Sequence, residues 1–117
     1  LYRLSQLKVQ LRTITNSIID QAIHVDGMTQ AEMMTFLTQT AFQEEREAAG
    51  KWRRAQLSFT QLSTYFVGFQ EHLETRAAAQ QRQGAAFNLK AYHDGVLAFG
   101  SPPGRFARQL LLDEPIQ

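Results

Sequence analysis

Leu4, Leu7, Leu11, Ile14, Ile18, Ala22 and Val25 recur at spacings of three and four. That is the apolar stripe of an amphipathic helix sustained for about six turns. Ile19 and Ile23 widen the stripe, which predicts a well-packed helix with this face inward. Gly27 follows as a candidate left-handed C-terminal cap. Thr29 and Glu32 then form a capping-box signature, so a second helix is predicted from Gln30. Its apolar positions are Met33, Met34, Phe36, Leu37, Ala41 and Phe42.

Residues 43–57 read as helical, either continuing the second helix or forming a third, with a break or kink possible at Gly50. Glu44, Glu45 and Glu47 read as a solvated face rather than a cation site. Ser58 or Thr60 is positioned to cap a helix over residues 60–83. Asn88 is positioned to cap a short helix over 89–99, ended by Gly100. Ser101 and Pro102 predict the start of a last helix, because proline at a first helical position loses no hydrogen bond. Phe106, Leu110 and Leu111 would dock that helix, and the tail Asp113–Gln117 reads as loose. No period-2 run has the length of a strand. The predicted fold is all-α, five or six helices in an antiparallel bundle.

Composition narrows the function classes. The 117 residues carry 12 Lys and Arg against 11 Asp and Glu, a net charge of +1. Basic residues are scattered and aromatics do not alternate with them, so no nucleic-acid partner is expected. There is no cysteine, which removes a disulfide scaffold, a thiolate zinc site and a cysteine nucleophile. The longest apolar run, Tyr65 to Phe69, falls far below the roughly 18 residues of a membrane span. Length suits one core, and residues 1–117 read as a single helical subdomain. Leu1 stands inside a periodic pattern with no cap before it, so the expectation is the C-terminal piece of a longer protein.

Three histidines occur, His24, His72 and His93, with no HExxH pattern and therefore no cofactor site of the chain's own. Asp20 and His24 lie four apart, a spacing that allows a local hydrogen bond and a structural polar pair. Gln61, Tyr65, Gly68, His72 and Arg76 form a polar stripe beside the apolar stripe Leu62, Phe66, Phe69 and Leu73. Such a stripe, with a gap at Gly68, suits the lining of a cleft. Two plainer readings stay open: tyrosine as a core residue with a polar handle, and Gly68 as a point of close helix approach. Arg53 and Arg54 precede this helix and either approach the same face or sit in water.

The segments Arg12 to Thr29, Gln61 to Gly68, Tyr92 to Asp94 and Gly100 to Pro103, in this order, resemble the C-terminal part of the bacterial family called domain of unknown function 885. That family in turn resembles helical zinc peptidases, among them the Taq-type carboxypeptidases and angiotensin-converting enzyme. The resemblance implies a longer parent whose HExxH-like helix and further glutamate ligand precede the matched region and bind zinc. It implies Tyr65 as a catalytic group that stabilises a tetrahedral intermediate. It also implies Gln61 and His93 as substrate-binding residues, with Arg53 or Arg54 available for a substrate carboxylate. The partners implied are the upstream catalytic part of the same parent and a peptide substrate, and many family members look exported. A different class remains beside it: a non-catalytic helical interaction module, with Leu4, Leu7, Leu11 and Ile14 as the seam of a homodimer.

Overall fold

The structure is a computed structural model that describes residues 1–115. The fold is all-α: six α-helices and no strand among the described residues. They are α1 (Tyr2–His24), α2 (Gln30–Thr35), α3 (Glu45–Leu57), α4 (Thr64–Gln83), α5 (Leu89–Ala98) and α6 (Gly104–Leu112). A π turn, Phe36–Thr40, extends α2, and a short 3-10 turn, Gly84–Ala86, follows α4. The chain forms two compact units, Leu1–Phe66 and Val67–Gln117.

Local signals act where the sequence puts them. α1 is closed by Gly27 at φ +73°, with Met28 N–H donating to the Ala22 carbonyl at 2.9 Å. This six-to-one closure needs a left-handed residue, which glycine supplies without a Cβ penalty. The capping box forms as predicted. Thr29 Oγ1 accepts from Glu32 N–H at 3.3 Å, and the Glu32 carboxylate accepts from Thr29 N–H at 2.8 Å. Asn88 caps α5 by accepting from Ala91 N–H at 2.9 Å.

In the first unit Ile19, Met33, Leu37, Ala41, Ala48, Ala55 and Leu62 build the core, with Ile23, Met28 and Trp52 packed against it. α1 reaches this core by an unexpected face. Its buried residues are Thr15, Asn16, Ile19, Asp20 and Ala22. Of the predicted inward positions Ile19, Ala22 and Ile23 do pack inward, but most of the stripe faces out: Leu4 is 68% exposed, Leu7 53%, Ile14 40% and Ile18 45%. Periodicity identifies an amphipathic helix, but it does not say which surface covers the apolar side.

Several boundaries also shift. α2 and α3 are separate helices, and the break falls at Ala41–Glu44 rather than at Gly50, which lies inside α3. Phe42 takes the left-handed conformation (φ +53°) while Gln43 N–H bonds the Leu37 carbonyl at 2.9 Å. The geometry is that of the Gly27 closure with a phenylalanine in glycine's place, at a strain of roughly 1–3 kcal/mol. α4 starts at Thr64, so neither Ser58 nor Thr60 caps it, and residues 58–63 form a turn. α6 starts at Gly104 after Pro103 with no side-chain cap, two residues later than Ser101 and Pro102 predict.

A polar chain lies beside the first core. Lys51, only 8% exposed, donates to Gln43 Oε1 at 2.6 Å, and Gln43 Nε2 donates to Thr15 Oγ1 at 3.1 Å. Glu47 bridges Lys51 at 3.5 Å and Arg12 at 2.5 Å. Burial pushes the Lys51 ammonium below its ordinary pKa, with Glu47 opposing.

In the second unit Ala79, Tyr92 and Leu112 are buried, with Phe87, Val96 and Leu111 against them. Burial raises the Tyr92 phenol above its ordinary pKa. The expected loose tail is tied down at Glu114. Its carboxylate pairs with Arg82 and Arg108, each at 2.6 Å, and Arg82 also bonds the Leu112 carbonyl. Ile116 and Gln117 lie outside the described residues.

Candidate functional site

The side chains that carry chemistry in the first unit gather at the connection between α3 and α4. Arg54 stands in the last turn of α3, Gln61 in the intervening turn, and Tyr65 in the first turn of α4. Arg54 Nη2 donates to Gln61 Oε1 at 2.8 Å. The Arg54 guanidinium, and after it the Gln61 amide, lower the pKa of the Tyr65 phenol. Tyr65 is half exposed, and Arg54 and Gln61 are exposed. Because Gln61 spends its carbonyl oxygen on Arg54, its amide N–H₂ is the end turned toward the phenol. The cluster therefore offers donors: guanidinium N–H, amide N–H and a phenol O–H made a better donor by the adjacent cation. Such a set suits a carboxylate or a developing oxyanion.

The connection is held from α1. The Asp20 carboxylate, 3% exposed, accepts from Thr60 N–H at 3.1 Å, Ser63 N–H at 3.0 Å and Ser63 Oγ–H at 2.9 Å. Hydrogen bonds to a charged acceptor contribute about 1.5–3 kcal/mol each. One turn on, His24 Nε2 lies 2.9 Å from the Ala55 carbonyl and 3.1 Å from the Ser58 carbonyl. The N–H on that nitrogen thus serves orphan carbonyls at the end of α3. Asp20 and His24 approach each other only to 3.9 Å, so the local hydrogen bond their spacing allows is not made. Each instead binds backbone more than thirty residues away.

Thr60 adopts φ +64°. A β-branched residue in the left-handed region is an outlier, costing roughly 1–3 kcal/mol and persisting only where its surroundings fix it. Neither Thr60 nor Ser63 was foreseeable at this site, since their acceptor lies about forty residues upstream. Beside them a groove of about 470 Å³ is lined by Asp20, His24, Val25, Phe59, Thr60 and Ser63. Phe59 meets the His24 ring edge-on at 6.1 Å between centroids.

The other predicted residues do not join this cluster. Arg53 is exposed and makes no ion pair among the described residues. His93 is exposed on α5 of the second unit and packs edge-on against Tyr92 at 5.3 Å. Its neighbour Asp94 pairs with Lys90 at 2.5 Å. At Gly68 an added Cβ would meet no atom within 4 Å, so no close helix approach explains that glycine. Among the described residues no group of three or more His, Asp or Glu side chains is placed to hold a metal ion. Among the same residues no helix is long and apolar enough to cross a membrane.

Fold and site together define an all-α chain with a donor-rich cluster at one helix connection. The chain belongs to the family described as bacterial protein of unknown function (DUF885), which matches residues 1–111. It is similar to a solved structure from Shewanella oneidensis described as "a putative lipoprotein of unknown function", with 45% sequence identity and a TM-score of 0.85. The match covers 90% of this chain and 19% of that one, so this chain spans about a fifth of that protein's length. No curated protein matches.

Proposed function

We propose that this chain forms one wall of a substrate cleft in a longer zinc-metallopeptidase-like protein, with Tyr65 acting on the carbonyl of a peptide or amide substrate. The observation that carries this reading is the convergence of Arg54, Gln61 and Tyr65. Amide hydrolysis places charge on the carbonyl oxygen. A phenol O–H about 2.7–3.1 Å from that oxygen stabilises the charge as it develops. Arg54 makes the phenol a stronger donor, and Gln61 orients the peptide backbone through the second N–H of its amide. Arg53 or Arg54 holds a substrate carboxylate, and His93 is a further substrate contact. Zinc, held elsewhere in the parent, would supply Lewis-acid polarisation of the carbonyl; the residues described here do not fit a zinc site. The chain alone is therefore inactive in this reading. The description of the Shewanella protein as a lipoprotein is compatible with export of the parent.

The test is Tyr65→Phe in the full-length protein, assayed on peptide libraries. Turnover should fall by about tenfold or more with KM little changed, the pattern of an interaction made in the transition state. Unchanged turnover would remove Tyr65 from the mechanism.

A second reading, a non-catalytic interaction module, rests on one observation: the exposed stripe of Leu4, Leu7, Ile14 and Ile18. An apolar face of this kind marks a surface covered by a partner, either the upstream part of the parent or a second copy. Sedimentation across a concentration series decides between the two occupants for the isolated chain. A monomer at every concentration argues against the second copy.

A further inference from the structure

We infer that Asp20 and His24 are positioning residues, two side chains on one turn of α1 that set the geometry of the Arg54–Gln61–Tyr65 cluster without touching what it binds. The inference rests on the reading of that cluster as the functional one, and deepens it. Arg54 leaves from the end of α3, Gln61 from the turn and Tyr65 from the start of α4. Their mutual placement is decided by the six residues of connection, 58–63, that lie between the two helices.

Asp20 and His24 grip both ends of that connection. His24 holds the outgoing side at the Ala55 and Ser58 carbonyls, both just after Arg54 where α3 ends. Asp20 holds the incoming side at Thr60 and Ser63, which flank Gln61 and lead into Tyr65. Asp20 commits three bonds to a four-residue stretch and is nearly sealed from solvent. A turn needing only to connect two helices would not require a threonine at φ +64°. The strained residue is pinned by its own N–H to Asp20, and it re-aims the chain just before Gln61. Strain held in place by outside contacts is the mark of a conformation kept for its geometry.

The measurement is the titration of the Tyr65 phenol, followed by carbon-13 at Cζ in the 117-residue chain. It needs no substrate, no zinc and no turnover, so its outcome is independent of the Tyr65→Phe assay. Arg54→Ala should raise the Tyr65 midpoint, because the cation beside the phenol is its largest perturbation. Asp20→Ala should also raise it, although Asp20 does not touch Tyr65. The double variant should raise it by clearly less than the sum of the two single shifts, the signature of one residue acting through the other. Amide exchange at Thr60 and Ser63 should quicken by ~10-fold or more in Asp20→Ala as their acceptor is lost.

Ser63→Ala, which removes one donor and leaves the carboxylate, serves if Asp20→Ala does not fold, and should give a smaller shift in the same direction. His24→Gln tests the other grip and should shift the midpoint the same way. A folded Asp20→Ala or Ser63→Ala chain with the wild-type Tyr65 midpoint overturns the inference for Asp20. A folded His24→Gln chain with that midpoint overturns it for His24. Shifts that add fully to that of Arg54→Ala overturn action through the cluster.

Discussion

The first unit closes around Ile19, Met33, Leu37 and Leu62, all at or near zero exposure, whereas the buried cluster of the second is the smaller set Ala79, Tyr92 and Leu112 among the described residues. What the second unit lacks in apolar burial is matched by charge at its C-terminal end, where Glu114 joins Arg82 and Arg108. Polar groups in the first unit have a different task. Asp20 and Gln43 are buried and spend hydrogen bonds on elements distant in sequence, and buried Lys51 braces Gln43 from α3. Packing therefore sets the stability of the first unit, and its buried polar groups set its geometry. The second unit depends more on ionisation.

Ile19→Ala gives the largest effect expected from this contrast. It removes a fully buried side chain and should cost about 2–5 kcal/mol in chemical denaturation. A loss below about 1 kcal/mol would mean that packing does not govern the first unit.

Acid should separate the units next. The Arg108 hydrogen bond, with Arg82 assisting, holds Glu114 below its ordinary pKa of 4.5. Its ionised form is thus favoured by folding. The stabilisation is present above pH 4.5 and is lost as pH falls through the lowered folded value. Unfolding monitored at Tyr92 should show this acid loss, and Glu114→Gln should abolish it. High salt should weaken the same clamp, since these pairs are partly exposed. An identical acid profile in Glu114→Gln would break the comparison.

The smallest effect is expected on the outer face of α1. Leu7→Ser should change the stability of the isolated chain by less than about 0.5 kcal/mol, because Leu7 is already exposed. A larger loss would show that the stripe is covered within the chain itself.

How much of this was legible in the sequence depended on distance along the chain. The capping box at Thr29 and Glu32 and the cap at Asn88 are local and were readable from spacing alone. The helix of residues 2–24 was readable too, but its inward face was not. The Leu and Ile stripe has the stronger pattern, while the buried face carries Thr15, Asn16 and Asp20. Their burial is tolerable because Gln43, Thr60 and Ser63 supply partners, and periodicity contains no information about partners so far away. Asn16 Oδ1 remains without one among the described residues.

The site was half legible. Gln61 and Tyr65 were paired by their four-residue spacing, although Gln61 stands in a turn rather than on α4. Arg54 joins them, while Arg53, its neighbour in sequence, does not. The left-handed residues Phe42 and Thr60 left no trace, being neither glycine nor asparagine. Lys51 lies in the highly charged stretch from Glu44 to Arg54. Its position between Ala48 and Ala55, at spacings of three and four, was the one signal that it turns inward.

The π turn at Phe36–Thr40 has a consequence for angular phase. An α-helix advances about 100° per residue, and a turn closed from Ala41 N–H to the Phe36 carbonyl at 3.1 Å holds one residue more than an α turn. That residue shifts the phase of everything after it by about one step. Leu37 can face the core while Gln43, six residues on, comes round to Lys51 and Thr15. Deleting one residue from this stretch would turn the break at Ala41–Glu44 by about one step and carry Gln43 past both partners. The irregularity works as a spacer, letting the apolar and polar interiors of the first unit share one short segment.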